Sequence, residues 1–212
     1  MIGADDARRR APTREVRAQF TPTTVRVYQA FSPEIADAAL RAGTFVPPFK
    51  RGRMTWIKPS FTWMMYRAGW GAKSGQECIL GIDITRTGFE WALEHACISH
   101  FSPALHTSQE DWQAVLRASP VRIQWDPERT LRLEALPHRT IQIGLSGEAV
   151  NAYVDRWIRN IEDVTPLAKA VEAAVHQGAL DRARGLAPSE GPYPLPDALA
   201  RRIDCTSPDS IE

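Results

Sequence analysis

The apolar residues of this chain change their repeat several times, and that alternation restricts the fold more than any other feature. Residues 23–31, TTVRVYQAF, alternate with period two: Val25, Val27 and Gln29 share one face and Arg26, Tyr28 and Ala30 the other, as in a half-buried strand. Ile35, Ala38, Ala39 and Ala42 follow at helical spacing, with Pro33 in the first turn and Gly43 as the stop. The switch recurs at Arg53–Lys58, a strand, and Pro59–Gly69, a helix apolar nearly all round. It recurs again at Cys78–Thr85, a strand, and at the helix marked by Phe89, Ala92, Leu93 and Ala96. A loop is expected over 98–107, then a helix from Ser108 to Ala118 with Asp111 as its capping-box partner and Trp112, Val115 and Leu116 facing inward. Val121–Trp125, Thr130–Leu136 and Thr140–Leu145 read as strands. The first two are joined by a turn at DPER, in which Asp126 accepts backbone bonds and the charges of Glu128 and Arg129 are exposed. Ala149 to Ile161 reads as one helix, and Thr165-Pro166 begins another that reaches about Gln177. About six strands and several helices in mixed order imply an α+β fold with mixed, largely antiparallel sheets.

At 212 residues the chain is long enough for one well-filled core. Residues 1–17 carry five arginines and little to bury, and residues 185–212 carry five prolines, so the expected organisation is a flexible arm, a single globular domain over 18–184 and a proline-rich flexible tail. The chain has no apolar run of membrane-spanning length, and MIGADDARRR lacks the apolar stretch of a secretory signal, so a cytoplasmic protein with no membrane partner is expected. Cys78, Cys97 and Cys205 form no CxxC pair and read as reduced thiols. His95, Cys97, His100 and His106 lie close in sequence without a zinc-ligand spacing, and no metal is expected.

Net charge is +1, but its distribution is uneven. Between Asp37 and Glu77 lie 39 residues without an acid, carrying Arg41, Lys50, Arg51, Arg53, Lys58, Arg67 and Lys73. Phe49, Trp56, Phe61, Trp63, Tyr66 and Trp70 fall in the same window. Cations interleaved with aromatic rings suit a nucleotide or single-stranded nucleic acid, although a basic rim over an aromatic core has the same composition. Within the window RMTWIKPSF is the sharpest motif. A strand ends at Lys58 and a proline-started helix leaves free N–H groups near Ser60, a setting for an anion such as phosphate. GWGAKSG and GLSG lack the spacing of a Walker or dinucleotide loop. Gln142 sits between Ile141 and Ile143 on a strand, a polar side chain directed away from both.

VRAQF, TVRVYQAFSPEIADAAL, RMTWIKPSFTWMMYRAGW, VRIQWDPER, RTIQIGL and YVDRWIRNIEDVT together resemble a family known only as a domain of unknown function, number 4291, over about residues 16–175. The layout is also similar to ADP-ribosyltransferase-like folds, which hold NAD in a cleft between two small sheets: VYQAF, WIKPSF and TIQIGL fall in the matching order. That second resemblance implies a split sheet with a central cleft and NAD as cofactor. Arg53 and Lys58 would hold the diphosphate, Tyr28 or Trp56 would stack on a ring, Gln29 would stand at the usual His or Arg position, and Ser60 would support the nicotinamide ribose. Gln142 would be the catalytic residue, in place of the commonest glutamate, orienting sugar hydroxyls as charge develops at the anomeric carbon. Expected partners are therefore an anionic small molecule or nucleotide. The alternative is a non-catalytic module that binds RNA or a nucleotide through the same face.

Overall fold

The computed structural model describes residues 14–206. Their strands are β1 (Arg17–Ala18), β2 (Thr24–Phe31), β3 (Thr55–Ile57), β4 (Cys78–Thr85), β5 (Ala96–Ile98), β6 (Val121–Arg129), β7 (Ala135–Leu145), β8 (Ile158–Asp163) and β9 (Gly191–Pro192). The helices are α1 (Pro33–Ala42), α2 (Phe61–Ala68), α3 (Arg86–Glu94), α4 (Gln109–Ala118), α5 (Glu148–Ala152), α6 (Thr165–His176), α7 (Leu180–Leu186) and α8 (Asp197–Arg202), and a π-helical turn at Tyr153–Trp157 extends α5. The architecture is α+β. One sheet has the order β2-β4-β8, another β3-β7-β6-β5, and β1 pairs with β9; every pairing is antiparallel except β5 with β6.

The main core lies between the two larger sheets, where Val25, Val27, Ile82 and Ile84 of one oppose Ile57, Ile123, Ile141 and Ile143 of the other in one cluster. A second cluster fills the other face of the three-stranded sheet: Tyr28 and Ile79 pack with Phe61, Met64 and Met65 of α2 and with Ala168 and Val171 of α6. The central strand β4 is thus covered on both sides, which explains the unbroken apolar run of CILGIDIT. The sheets touch at one backbone bridge: Tyr28 N donates to Lys58 O at 2.7 Å and Lys58 N to Tyr28 O at 3.2 Å.

Four elements depart from expectation, each for a definable reason. DPER is strand, not turn: β6 runs on to Arg129, an irregularity between Pro127 and Arg129 accommodates the proline, and the chain reverses at Thr130–Glu134 with Leu133 at φ 64°. Ile158–Asp163 is strand, not helix. A bulge at the Asp83/Ile84 step lets Ile158 pair with Ile84 and Ile161 with Ile82, so a spacing of three serves one face of a sheet and imitates a helix. Residues 96–98, partly assigned to loop, form an edge strand parallel to β6. Helix α4 is capped by Ser108 as expected but buries no residue, and Val115 is exposed.

The described part of the segment expected as a tail, residues 185–206, is also ordered against the core, and residues 207–212 lie outside the described residues. Tyr193 and Ile203 are buried, Tyr193 OH donates to Glu90 Oε1 at 2.6 Å, and Trp125 Nε1 donates to Ile203 O at 2.7 Å. Its prolines break helices without preventing burial of the few apolar residues between them. Of the expected arm, residues 1–13 lie outside the described residues, whereas Val16 is buried and Arg17–Ala18 pair with β9.

Candidate nucleotide-binding cleft

The alternation of the four-stranded sheet decides which side chains it offers outward. Val121, Ile123, Trp125, Ile141 and Ile143 point to the core, so the opposite parity presents Arg122, Gln124 and Asp126 of β6 and Thr140, Gln142 and Gly144 of β7 on the outer face. Trp56 lies opposite Gly144, which puts its indole on the same face. Glycine is required there: a Cβ at position 144 would stand 2.9 Å from the indole ring and 3.0 Å from Met54 Sδ. Gly144 thus lets the ring lie down on the sheet.

Lys58 follows β3 and closes the row. Its side chain is 8% exposed, its Nζ donates to Trp56 O at 2.8 Å, and it sits 5.8 Å from the centre of the Trp63 ring. Lys58 belongs to none of the ion pairs among the described residues. Burial, reinforced by the nearby Arg67 guanidinium and opposed by Asp126, lowers its ammonium to about 7. It forms part of the wall of a cavity of about 230 Å³, together with Gln29, Trp56, Met64, Arg67 and Gln76. Phe31, Met54 and Thr55 are shared with an adjoining apolar cavity of about 370 Å³ whose rim carries Lys50 and Arg53. The two form one groove with a basic edge.

The groove therefore brings Arg53, Trp56, Lys58 and Gln29 together. The Gln29 amide is committed within the protein: its Nε2 donates to Thr55 Oγ1 at 2.7 Å and Trp56 O at 3.1 Å, and its Oε1 accepts from Tyr153 OH at 2.8 Å. It ties the sheets together behind the cavity. Gln142 stands on the outer face beside the groove, with both donors of its amide engaged, to Gln124 Oε1 at 2.9 Å and Asp126 Oδ2 at 2.6 Å. Asp126, expected to hold a turn, instead fixes this amide.

Two expected ligand contacts are placed elsewhere. Tyr28 is 1% exposed and packs edge-on against Phe61 at 5.6 Å, so it has no free ring face for stacking; burial also raises its phenol far above the usual range. Ser60 is fully buried at the N-terminus of α2, where its Oγ accepts from Trp63 N at 3.1 Å and donates to Glu128 Oε1 at 2.9 Å. The position read as a phosphate site already holds the protein's own carboxylates. Glu190 Oε1 accepts from Phe61 N at 2.7 Å, and Glu128 Oε1 also takes Thr62 Oγ1 at 3.1 Å and Arg129 N at 2.8 Å. Burial pushes the Glu190 carboxyl up to about 8 despite the Phe61 N–H, with Glu128 adding to the shift and Arg17 opposing it.

Among the described residues no group of three or more His, Cys, Asp or Glu is placed to hold a metal ion, and no helix is long and apolar enough to cross a membrane. His95 stacks on Trp91 at 3.9 Å, and His106 Nε2 lies 4.0 Å from Cys97 Sγ. Gly144, Arg67 and Gln76 escaped the reading of the sequence as site residues. A glycine inside the strand TIQIGL was the available signal for the first and membership of the acid-free basic window for Arg67, and Gln76 carries none.

Fold and groove define an α+β protein with a basic cleft floored by an indole, at the junction of two sheets. A family model described as "Domain of unknown function (DUF4291)" matches residues 15–193, most of the chain, and the chain belongs to that family. A search of curated proteins returns no match.

Proposed function

We propose that this protein binds a phosphate-bearing nucleotide in the groove, with NAD as the first candidate. The observation that carries the reading is Lys58, an amine buried in the cavity wall that makes no ion pair among the described residues, the nearby Asp126 being committed to Gln142. A buried charge is costly unless paired, and a ligand phosphate is the partner that this position lacks. Lys50, Arg53 and Arg67 add positive potential along the same edge, and Trp56 offers an aromatic surface for a base. ADP-ribosyl transfer asks for more than binding, since Gln142 would have to exchange Gln124 or Asp126 for sugar hydroxyls; the reading rests on the binding half.

Calorimetric titration with NAD, ATP and GMP tests it. Saturable binding of one of them is expected, weakened by about 10- to 100-fold in Lys58→Met, the range for loss of one charge-assisted hydrogen bond. An anion beside Lys58 raises its pKa from about 7, so binding takes up protons and tightens as pH falls through neutrality. A Lys58→Met variant that folds and binds as tightly as the parent would overturn the assignment.

A further inference from the structure

We infer that the ligand of this groove is one residue of a single-stranded polynucleotide, whose backbone continues across the exposed side of α2 to a second basic cavity. The inference rests on the groove holding a nucleotide and extends it to the polymer.

Cations follow one another along that path. Arg67 lines the first cavity, with NH1 3.4 Å from Gln76 Oε1. Lys73 Nζ donates to Arg67 O at 2.8 Å and lies 5.9 Å from the centre of the Tyr66 ring. The Arg129 guanidinium lies 3.6 Å from the centre of the same ring. Arg129 then opens the second cavity, of about 480 Å³, together with Thr62, Thr130, Arg132 and Arg184.

The charges on this path are not spent internally. Lys58, Arg67, Lys73, Arg129 and Arg132 take part in none of the ion pairs among the described residues, and Arg129 Nε is buried without a hydrogen-bond partner. Arg184 is neutralised by Asp181 at 2.6 Å, and Glu134 is the one acid lining the second cavity. At its margins lie Asp126 near Lys58, Glu77, whose Oε1 accepts from Gly75 N at 2.8 Å, and Glu128, whose Oε1 is occupied by Ser60 Oγ, Thr62 Oγ1 and Arg129 N. Two cavities joined by a row of unpaired cations fit a repeating anion better than a single dinucleotide. The first cavity admits a base only if that base is splayed out of a stack, which selects a single strand over a duplex.

Fluorescence anisotropy with a labelled eight-nucleotide RNA, set against AMP and NAD by calorimetry, tests the inference. The oligonucleotide is expected to bind at least about tenfold tighter than AMP, with affinity falling steeply as salt rises. Arg129→Gln/Arg132→Gln should weaken the oligonucleotide and lower its salt slope by about 1.4, two phosphates at about 0.7 each, while leaving AMP unchanged. Arg132→Gln alone, at an exposed position, should give half of that change and guards against a folding defect at Arg129. An oligonucleotide no tighter than AMP and indifferent to both variants overturns this inference and leaves the nucleotide reading standing. Failure of AMP, NAD and oligonucleotide alike overturns both. Equal displacement of the RNA by polyglutamate assigns the track to acidic protein segments and also overturns the inference.

Discussion

Each of the two larger sheets carries charged side chains on its face away from the main core, and the two treat that charge in opposite ways. On the three-stranded sheet, Arg26 is held by Asp83 through Nε at 2.6 Å and NH2 at 2.8 Å and by Glu162 at 3.0 Å, and Asn160 donates to Asp83 at 3.3 Å. The acids beside Arg26 raise its pKa against the cost of burial, and the cluster is complete in itself. On the four-stranded sheet, Lys58 has a carbonyl and an indole ring but no anion, while Arg122 Nε and Thr140 Oγ1 are buried without partners. A face that neutralises itself stabilises the fold. One left short of anions is equipped to meet them from outside.

The comparison breaks most sharply by exchanging the two cations for methionine. Arg26→Met strands Asp83 and Glu162 and should cost about 2 kcal/mol of stability, from the loss of charged hydrogen bonds, with nucleotide affinity unchanged. Lys58→Met should lose the affinity and keep or raise the melting temperature, since no partner is left uncompensated. Denaturant unfolding of both proteins beside their titrations decides it, and equal destabilisation by the two would remove the contrast.

A smaller effect is expected at Gly144. Alanine there displaces the Trp56 indole, costing about 1–3 kcal/mol as overpacking does. Affinity should fall several-fold if the ring is the platform; a destabilised variant with undiminished binding would take Trp56 out of the site.

The comparison sharpens further through pH. Glu190 titrates near 8 in the fold against an ordinary 4.5, so its contribution to stability is fully present below pH 4.5 and is lost as pH rises through 8. Lys58 titrates near 7 against 10.5, so its contribution is fully present above 10.5 and is lost as pH falls through 7. Glu190→Gln should flatten the first slope and Lys58→Met the second, in melting curves recorded across that range. Identical slopes in parent and variants would show that neither group carries the effect.

Much of this was legible in the sequence because local patterns and tertiary context agree there. The β2–α1, β3–α2 and β4–α3 pairs follow their periodicity, Ser108 caps the helix that it precedes, and the acid-free window does supply the rim of the groove. The failures share a cause, which is dependence on a distant partner. The bulge that makes a strand of Ile158–Asp163 exists only against Ile82 and Ile84. Ser60 and Lys58 lie two residues apart yet differ in role because Glu190, 130 positions beyond Ser60 in the chain, occupies the helix N-terminus and nothing comparable reaches the lysine. Tyr28 alternates like a surface residue, but α2 covers it.

That carboxylate also sets an order of events during synthesis. Strand β1 waits for β9, and the first N–H of α2 waits for Glu190, whose own backbone carbonyl accepts from Arg17 NH2 across 173 positions of sequence. A polypeptide leaving the ribosome can form the β2–α1 and β3–α2 segments early, but the first N–H of helix α2 stays without its acceptor until residue 190 has emerged. The N-terminus of α2, the helix that carries Met64 and Arg67 into the groove, is therefore completed late, so a truncated translation product would carry these residues on a helix that lacks its capping partner.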